Sequence, residues 1–126
     1  MKRTVKRSVL SALTTLGAAI SLTLVTSPQA HAIDMVECGP SDFLTVNWHI
    51  EYGGSWSTEK SCFANAGEFD MDVMGTEWLD SISTGNNRVQ WWGDGRWQPD
   101  TPIGKNTVYT FPNHPGGVAL DWIRIL

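Results

Sequence analysis

The chain has 126 residues, of which 41% are hydrophobic and 17% charged, and its formal net charge is −4. A chain of this length has room for one domain with a modest hydrophobic core. Its acidic balance argues against nucleic acid as a partner and against electrostatic adsorption to membranes, because phosphate backbones and anionic headgroups repel it.

The first 32 residues have the pattern of a secretory signal peptide. Basic residues open the chain, a mostly apolar run follows from Val9 to Val25, and Ala30-His31-Ala32 matches an A-x-A cleavage site. Ser, Thr and Gly dilute the run below the roughly 20 apolar residues of a spanning helix. Cleavage after Ala32 would leave residues 33–126 as one secreted domain of net charge −8, with five basic and thirteen acidic residues. This domain is expected to be a monomer without stable membrane insertion.

Cys38 and Cys62 are the two cysteines of the chain. In an oxidising exterior, a cysteine pair in a small domain is more often a disulfide than two free thiols. The pair lacks the Cys-x-x-Cys or Cys/His spacing of zinc and redox sites. The sequence therefore predicts a structural Cys38–Cys62 bridge that stabilises the fold by roughly 3 kcal/mol on the chain-entropy model.

Alternation of apolar and polar residues predicts β-strands along the rest of the chain. It is clearest in LTVNWHI (44–50), with His49 on the polar side, and in EFDMDV (68–73), with Val73 on the apolar side. Aromatic EYGGSWSTE (51–59) and the segment 98–106 are interpreted as loops. Further strands are predicted at RVQWW (88–92), TVYTF (107–111) and VALDWIRIL (118–126), and the last of these is apolar on both faces, which favours a central position. Short strands separated by Gly/Pro turns are typical of an all-β sandwich or barrel.

Several motifs resemble a known family. The segments Cys-Phe-Ala-Asn-Ala-Gly (62–67), the alternating strand after it, Ser/Thr-Gly-Asn-Asn (84–87), YTFPNHPGG (109–117) and VALDWIRIL are similar to the secreted single-domain βγ-crystallins of streptomycetes, the killer-toxin-like family. That family is related in fold to a streptomycete metalloproteinase inhibitor. The resemblance implies two intertwined Greek keys in a two-sheet sandwich. Some relatives have two disulfide bridges, whereas this chain has cysteines for one.

Asn86 and Asn87 are the candidate calcium ligands. Many βγ-crystallins have two Asn/Asp, two variable residues and then Ser/Thr and Ser, whose oxygens converge on calcium. In this chain Gln90 and Trp91 occupy the hydroxyl positions, and Arg88 adds a cation beside the site. The alternative interpretation, a turn in which the asparagines cap backbone amides, is favoured. No metal or other cofactor is expected.

Tryptophans supply the candidate target-binding residues. Trp91 and Trp92 are consecutive on a strand, so Trp91 is predicted in the core and Trp92 outside it. After the turn, Trp97 is expected to return beside Trp92, with Arg96 and Gln98 as hydrogen-bonding neighbours. The alternative is that one or both indoles pack under the segment 98–106. Tyr52 and Trp56 form a second aromatic candidate. Exposed indoles beside polar groups stack on sugars or anchor protein partners.

No catalytic motif is found, and the chain after Ala32 has only His49 and His114 as histidines, so the protein is not expected to be an enzyme. The resemblance implies a killer-toxin-like or antimicrobial effector with an extracellular protein or a cell-wall carbohydrate as its target. Two alternatives remain open, a metalloproteinase inhibitor that presents the loop EYGGSWSTEKSC (51–62), and a carbohydrate-binding module.

Overall fold

The computed structural model describes residues 33–73 and 75–126, so the predicted signal peptide lies outside the described residues. The described part of the chain is all β, and it contains no helix that could span a membrane. The strands are β1 (Asp34–Val36), β2 (Leu44–Tyr52), β3 (Ser55–Ala64), β4 (Gly67–Asp70), β5 (Thr76–Ser83), β6 (Val89–Gly93), β7 (Arg96–Ile103), β8 (Val108–Thr110), β9 (Val118–Ala119) and β10 (Trp122–Ile125).

The strands form two antiparallel sheets. In the first sheet the order is β1-β3-β2-β5-β8, and β9 also pairs with β5; in the second sheet it is β4-β10-β6-β7. Strands distant in sequence are therefore neighbours, such as β2 with β5 and β10 with β4, as Greek-key connections require. The predicted fold class, an all-β two-sheet Greek-key sandwich, is confirmed.

The hydrophobic core lies between the inward faces of the two sheets. Leu44, Val46 and Trp48 of β2 are buried there, which confirms the alternation of LTVNWHI. The second sheet contributes Val89, Trp91, Ile123 and Ile125, and further buried members are Ile33, Phe63, Met71, Leu79, Ile82, Ile103 and Leu120. Burial of Trp91 confirms its predicted core position.

Three sequence-based boundaries are wrong. The segment 118–126 is two strands rather than one, because β9 belongs to the first sheet and β10 to the second, with buried Leu120 where the chain crosses between them. The strand predicted at 68–73 ends at Asp70, and Val73 is exposed. The segment 98–106 is mostly β7 rather than a loop; a cis peptide bond precedes Pro99 within it.

The aromatic segment 51–59 is a hairpin and not a flexible loop. β2 and β3 pair without interruption up to Tyr52 and Ser55, and Gly53 and Gly54 form the two-residue turn. Both glycines have positive φ, 59° and 82°, which the tight hairpin turn requires. Tyr52 and Trp56 therefore extend from paired strands.

The predicted disulfide bond is present. Cys38 and Cys62 are joined, with their Cα atoms 5.2 Å apart. Cys62 lies in β3, next to the central strand β2, whereas Cys38 lies in the connection from β1 to β2. The bridge thus fastens that connection to the first sheet.

Candidate functional site

The segment Thr84–Asn87 is a structural junction between three loops. The Asn87 side-chain amide donates to the carbonyl oxygens of Asp42 (3.0 Å) and Thr84 (2.9 Å), and the Asn86 backbone N–H also donates to Asp42. The buried Thr84 hydroxyl donates to the carbonyl oxygen of Gly104 and accepts from the backbone N–H of Thr107. These bonds join the 84–87 turn to the loops before β2 and before β8.

Gly85 allows the 84–87 turn to lie against the backbone of the loop before β2. Its φ is +54°, and a Cβ at this position would lie 2.5 Å from the carbonyl oxygens of both Asp42 and Phe43. Only glycine fits such an approach without displacing backbone. The Asn87 side-chain amide therefore stabilises the turn, whereas Asn86 contributes only its backbone N–H. That neither asparagine binds calcium stays a prediction.

A row of three tryptophans crosses the outward face of the second sheet. Trp92 of β6 is in register with Trp122 of β10 on one side and with Trp97 of β7 on the other. Because Trp91 and Ile123 face the core, their neighbours Trp92 and Trp122 face outward. The three side chains, here called the indole row, span about 10 Å, since neighbouring strands lie about 4.8 Å apart.

Two members of the indole row pack edge to face. The ring centroids of Trp92 and Trp97 are 5.5 Å apart, with an interplanar angle of 77°. Both rings are half-buried, and Trp122 is 39% exposed. The predicted approach of Trp97 to Trp92 is therefore confirmed, whereas Trp122 was missed, because its segment was interpreted as one strand apolar on both faces.

Arg124 supplies the cation of this surface. Its Cζ atom lies 4.0 Å from the centre of the Trp97 ring, within cation–π range. Its guanidinium donates to the side-chain oxygen of buried Gln90, whose amide in turn donates to the carbonyl oxygen of Pro99. Glu68 on β4 adds an ion pair at 3.7 Å. The guanidinium is thus held in place over one face of Trp97.

Arg96, predicted as the polar neighbour of Trp97, lies elsewhere. It alternates with Trp97 along β7, so its side chain leaves the strand on the other face. There it contacts Asp100 at 3.6 Å and the Gln98 side chain at 3.5 Å, both exposed contacts at the edge of the sheet. Strand alternation, which can be read from the sequence, excludes Arg96 from the face of the indole row. Arg124 could be assigned to that face only once β10 was known to lie beside β6.

Tyr52 and Trp56 lie on the first sheet. They are 66% and 69% exposed. Trp56 is in register with Glu51 on the outward face, whereas Tyr52 alternates with Glu51 and leaves β2 on the other face, so the two aromatic side chains do not share a face. The Trp56 ring meets the His49 ring at 5.5 Å, in an edge-to-face arrangement. His49 was predicted on the polar side of its strand; it is on that face, but buried, with Nδ1 2.9 Å from both carboxylate oxygens of Asp80.

A β-bulge explains how Asp80 reaches His49. Leu79 pairs with Trp48 and Ser81 pairs with Asn47, which leaves Asp80 between them as an extra residue on β5. Bulges redirect a side chain in this way.

Among residues 33–73 and 75–126, no three His, Cys, Asp or Glu side chains are close enough together to hold a metal ion.

Comparison with known proteins places the chain in a family. A family model described as Beta/Gamma crystallin matches residues 49–126, more than half of the chain. Comparisons with curated proteins and with solved structures find no match.

Proposed function

Because the chain belongs to the beta/gamma crystallin family, we propose that it is a secreted, non-enzymatic effector of the killer-toxin-like kind, which binds an extracellular target through the indole row. The family-model match shows which family the chain belongs to, and it does not show a function. The effector role rests on the resemblance of the 62–67 and 84–87 motifs, and the binding role rests on the surface chemistry of the second sheet.

The observation that carries this proposal is the outward indole row with Arg124 fixed on it. Tryptophan and arginine dominate the binding energy of protein interfaces, because they bury large areas and still offer hydrogen bonds. An Arg held by Gln90 and Glu68 has lost most of its rotamer freedom before a target arrives. Less conformational entropy is then lost on binding.

The ring geometry favours a protein target over a flat polysaccharide. A flat sugar chain needs coplanar rings with free faces, but Trp92 and Trp97 are 77° apart in plane and Arg124 covers one face of Trp97. Edge-to-face rings leave a ridged surface that suits a protein partner of complementary shape. Carbohydrate is accordingly the second target class.

The metalloproteinase-inhibitor alternative has less support. It depended on an exposed loop at residues 51–62, and those residues are the end of β2, a two-residue turn and most of β3. A paired hairpin does not present a free segment to a protease cleft. Inhibition is retained as an arm of the test.

The test compares three activities of the mature protein with those of single variants. Growth inhibition of yeast, pull-down on cell-wall polysaccharide and inhibition of a thermolysin-like protease are measured for the native protein, Trp97→Ala and Trp122→Ala. The proposal expects growth inhibition that both variants lose. Polysaccharide retention or protease inhibition without any effect on growth would contradict the effector role.

Trp56→Ala is the matched control, because it removes an exposed indole from the other sheet. It should keep the growth-inhibiting activity. If Trp56→Ala loses this activity while Trp97→Ala keeps it, the target surface is the β2–β3 hairpin and the proposed role of the indole row is wrong. Amino-terminal sequencing of the secreted protein, with Ile33 expected as the first residue, tests the export part.

A further inference from the structure

A groove runs along the outward face of the first sheet beside the β2–β3 hairpin. One cavity of about 430 Å³ is lined by His49, Glu51, Trp56, Asp80, Pro115 and Gly116. An adjoining cavity of about 320 Å³ is lined by the hairpin turn and Thr76, and it shares Glu51 and Trp56 with the first. We call the two together the hairpin groove. Its volume suits a small organic ligand.

The charge in the hairpin groove is negative. Glu51 and Asp80 contribute carboxylates, and neither cavity has a Lys or Arg among its lining residues. The acidic side chains do not converge with His49 as metal ligands, as stated above for the described residues. The groove therefore favours an organic cation over a metal ion.

His49 contributes a hydrogen-bond acceptor that nothing else in the described residues uses. The side chain is buried, with 9% of the residue exposed, and both of its hydrogen bonds join Nδ1 to Asp80. An ionised carboxylate only accepts, so Nδ1 has the proton that points at Asp80, and in the neutral form of the imidazole Nε2 is the acceptor. Nε2 then has a free lone pair, and no partner for it exists among residues 33–73 and 75–126.

Trp56 adds an aromatic face beside these acceptors. The edge-to-face contact with His49 holds the indole at the groove, while 69% of the residue stays exposed. Tryptophan is the strongest aromatic partner for cations. The groove thus combines three acceptor groups, from Glu51, Asp80 and His49, with one indole.

We propose that the hairpin groove binds a primary ammonium group carried on a small organic body, such as a lysine side chain or an amino sugar. A primary ammonium has three N–H donors and no acceptor. Those donors suit a groove lined by acceptors, and the positive charge matches the two carboxylates and the indole face. This binding is independent of the proposed effector function, since it uses the other sheet.

The experiment uses matched pairs of probes that differ only in the amine. Nα-acetyl-lysine amide is titrated against its Nε-acetylated analogue, and glucosamine against N-acetylglucosamine, by calorimetry and by the indole N–H resonances of the mature protein. The amine of at least one pair should bind at least about tenfold more tightly than its acetylated partner, because charge-assisted hydrogen bonds are lost on acetylation. The pair with the larger ratio identifies the source of the ammonium.

Variants locate the binding. Glu51→Gln and Trp56→Ala, both at exposed positions, should each weaken binding of the amine about tenfold, whereas Trp97→Ala should not change it. Equal binding of amine and acetylated probes, or no binding of either, would overturn the proposal. So would amine binding that both groove variants retain. Loss of growth inhibition in Trp97→Ala alone concerns the effector role and leaves this proposal unaffected.

Discussion

At the scale of single residues, the neighbours Trp91 and Trp92 have different roles, since Trp91 stabilises the core and Trp92 belongs to the proposed binding surface. Trp91 is 3% exposed and packs against Tyr109 and Phe111, with ring centroids 5.8 Å and 5.3 Å away. Trp91→Ala should destabilise the protein by about 3–5 kcal/mol, because it leaves a large core cavity. Trp92→Ala loses one aromatic pair and should cost about 1 kcal/mol. Urea unfolding of both variants measures this difference, and equal losses would contradict the assigned faces.

Asn86 and Asn87 offer a second comparison of neighbours. Asn87→Ala removes the two bonds of the side-chain amide to Asp42 and Thr84, and should cost roughly 1–3 kcal/mol. Asn86 is exposed and uses only its backbone N–H in this junction. Asn86→Ala should therefore stay within about 0.5 kcal/mol of the native protein.

Calcium provides the check on that interpretation. A ligand that binds only the native state raises stability by RT ln(1 + [L]/Kd). If the asparagines serve only the turn, neither calcium nor a chelator should move the thermal midpoint of the native protein. A fall of several degrees on chelation would restore the calcium hypothesis for this segment.

At the scale of elements, alternation predicted strands where one face is apolar and the other wet, as in β2 and β6. It missed β1, β3, β5 and β7 because their polarity does not alternate cleanly. β3, for example, has six consecutive exposed residues from Ser55 to Lys60. Pairing with β2 from Ser55 to Phe63, and not alternating burial of side chains, makes this segment a strand.

The same limit applies to the candidate site. The hairpin turn placed Trp97 beside Trp92 from local sequence alone, because Asp94-Gly95 is a two-residue turn with φ of 54° and 76°. Trp122 and Arg124 join the surface through pairing of β10 with β6, about thirty residues apart in the chain. No local pattern encodes such a pairing, so those residues could not be assigned from sequence.

A substitution at Gly93 tests the close contact between β6 of the second sheet and β9 of the first sheet. A Cβ added there would lie 2.0 Å from the Ala119 carbonyl oxygen on β9, so Gly93→Ala should displace backbone and cost roughly 1–3 kcal/mol. Gly104→Ala is the control, because an added Cβ there meets no atom within 4 Å. Thermal unfolding compares the two, and an equal effect would mean that β6 and β9 are less closely packed.

At the scale of the whole molecule, a domain of this size buries a small core, so one covalent bond has a large share in its stability. The disulfide bond from Cys38 to Cys62 attaches the β1–β2 connection to the first sheet. The two cysteines are 24 positions apart in the sequence. Without the bridge, that connection is attached through β1, a strand of three residues, and through the hydrogen bonds of Asp42 to the 84–87 turn.

Reduction of the disulfide should therefore lower the free energy of unfolding by roughly 3 kcal/mol, since an unfolded chain freed from a loop of this length gains conformational entropy. For a domain of this size that loss corresponds to a thermal midpoint roughly 10 °C lower or more. The measurement compares midpoints with and without reductant. The double variant Cys38→Ser, Cys62→Ser is the control, because its midpoint should equal that of the reduced protein and should not respond to reductant. Two titratable thiols in the freshly secreted protein, or an unchanged midpoint after complete reduction, would contradict this stabilising role of the bridge.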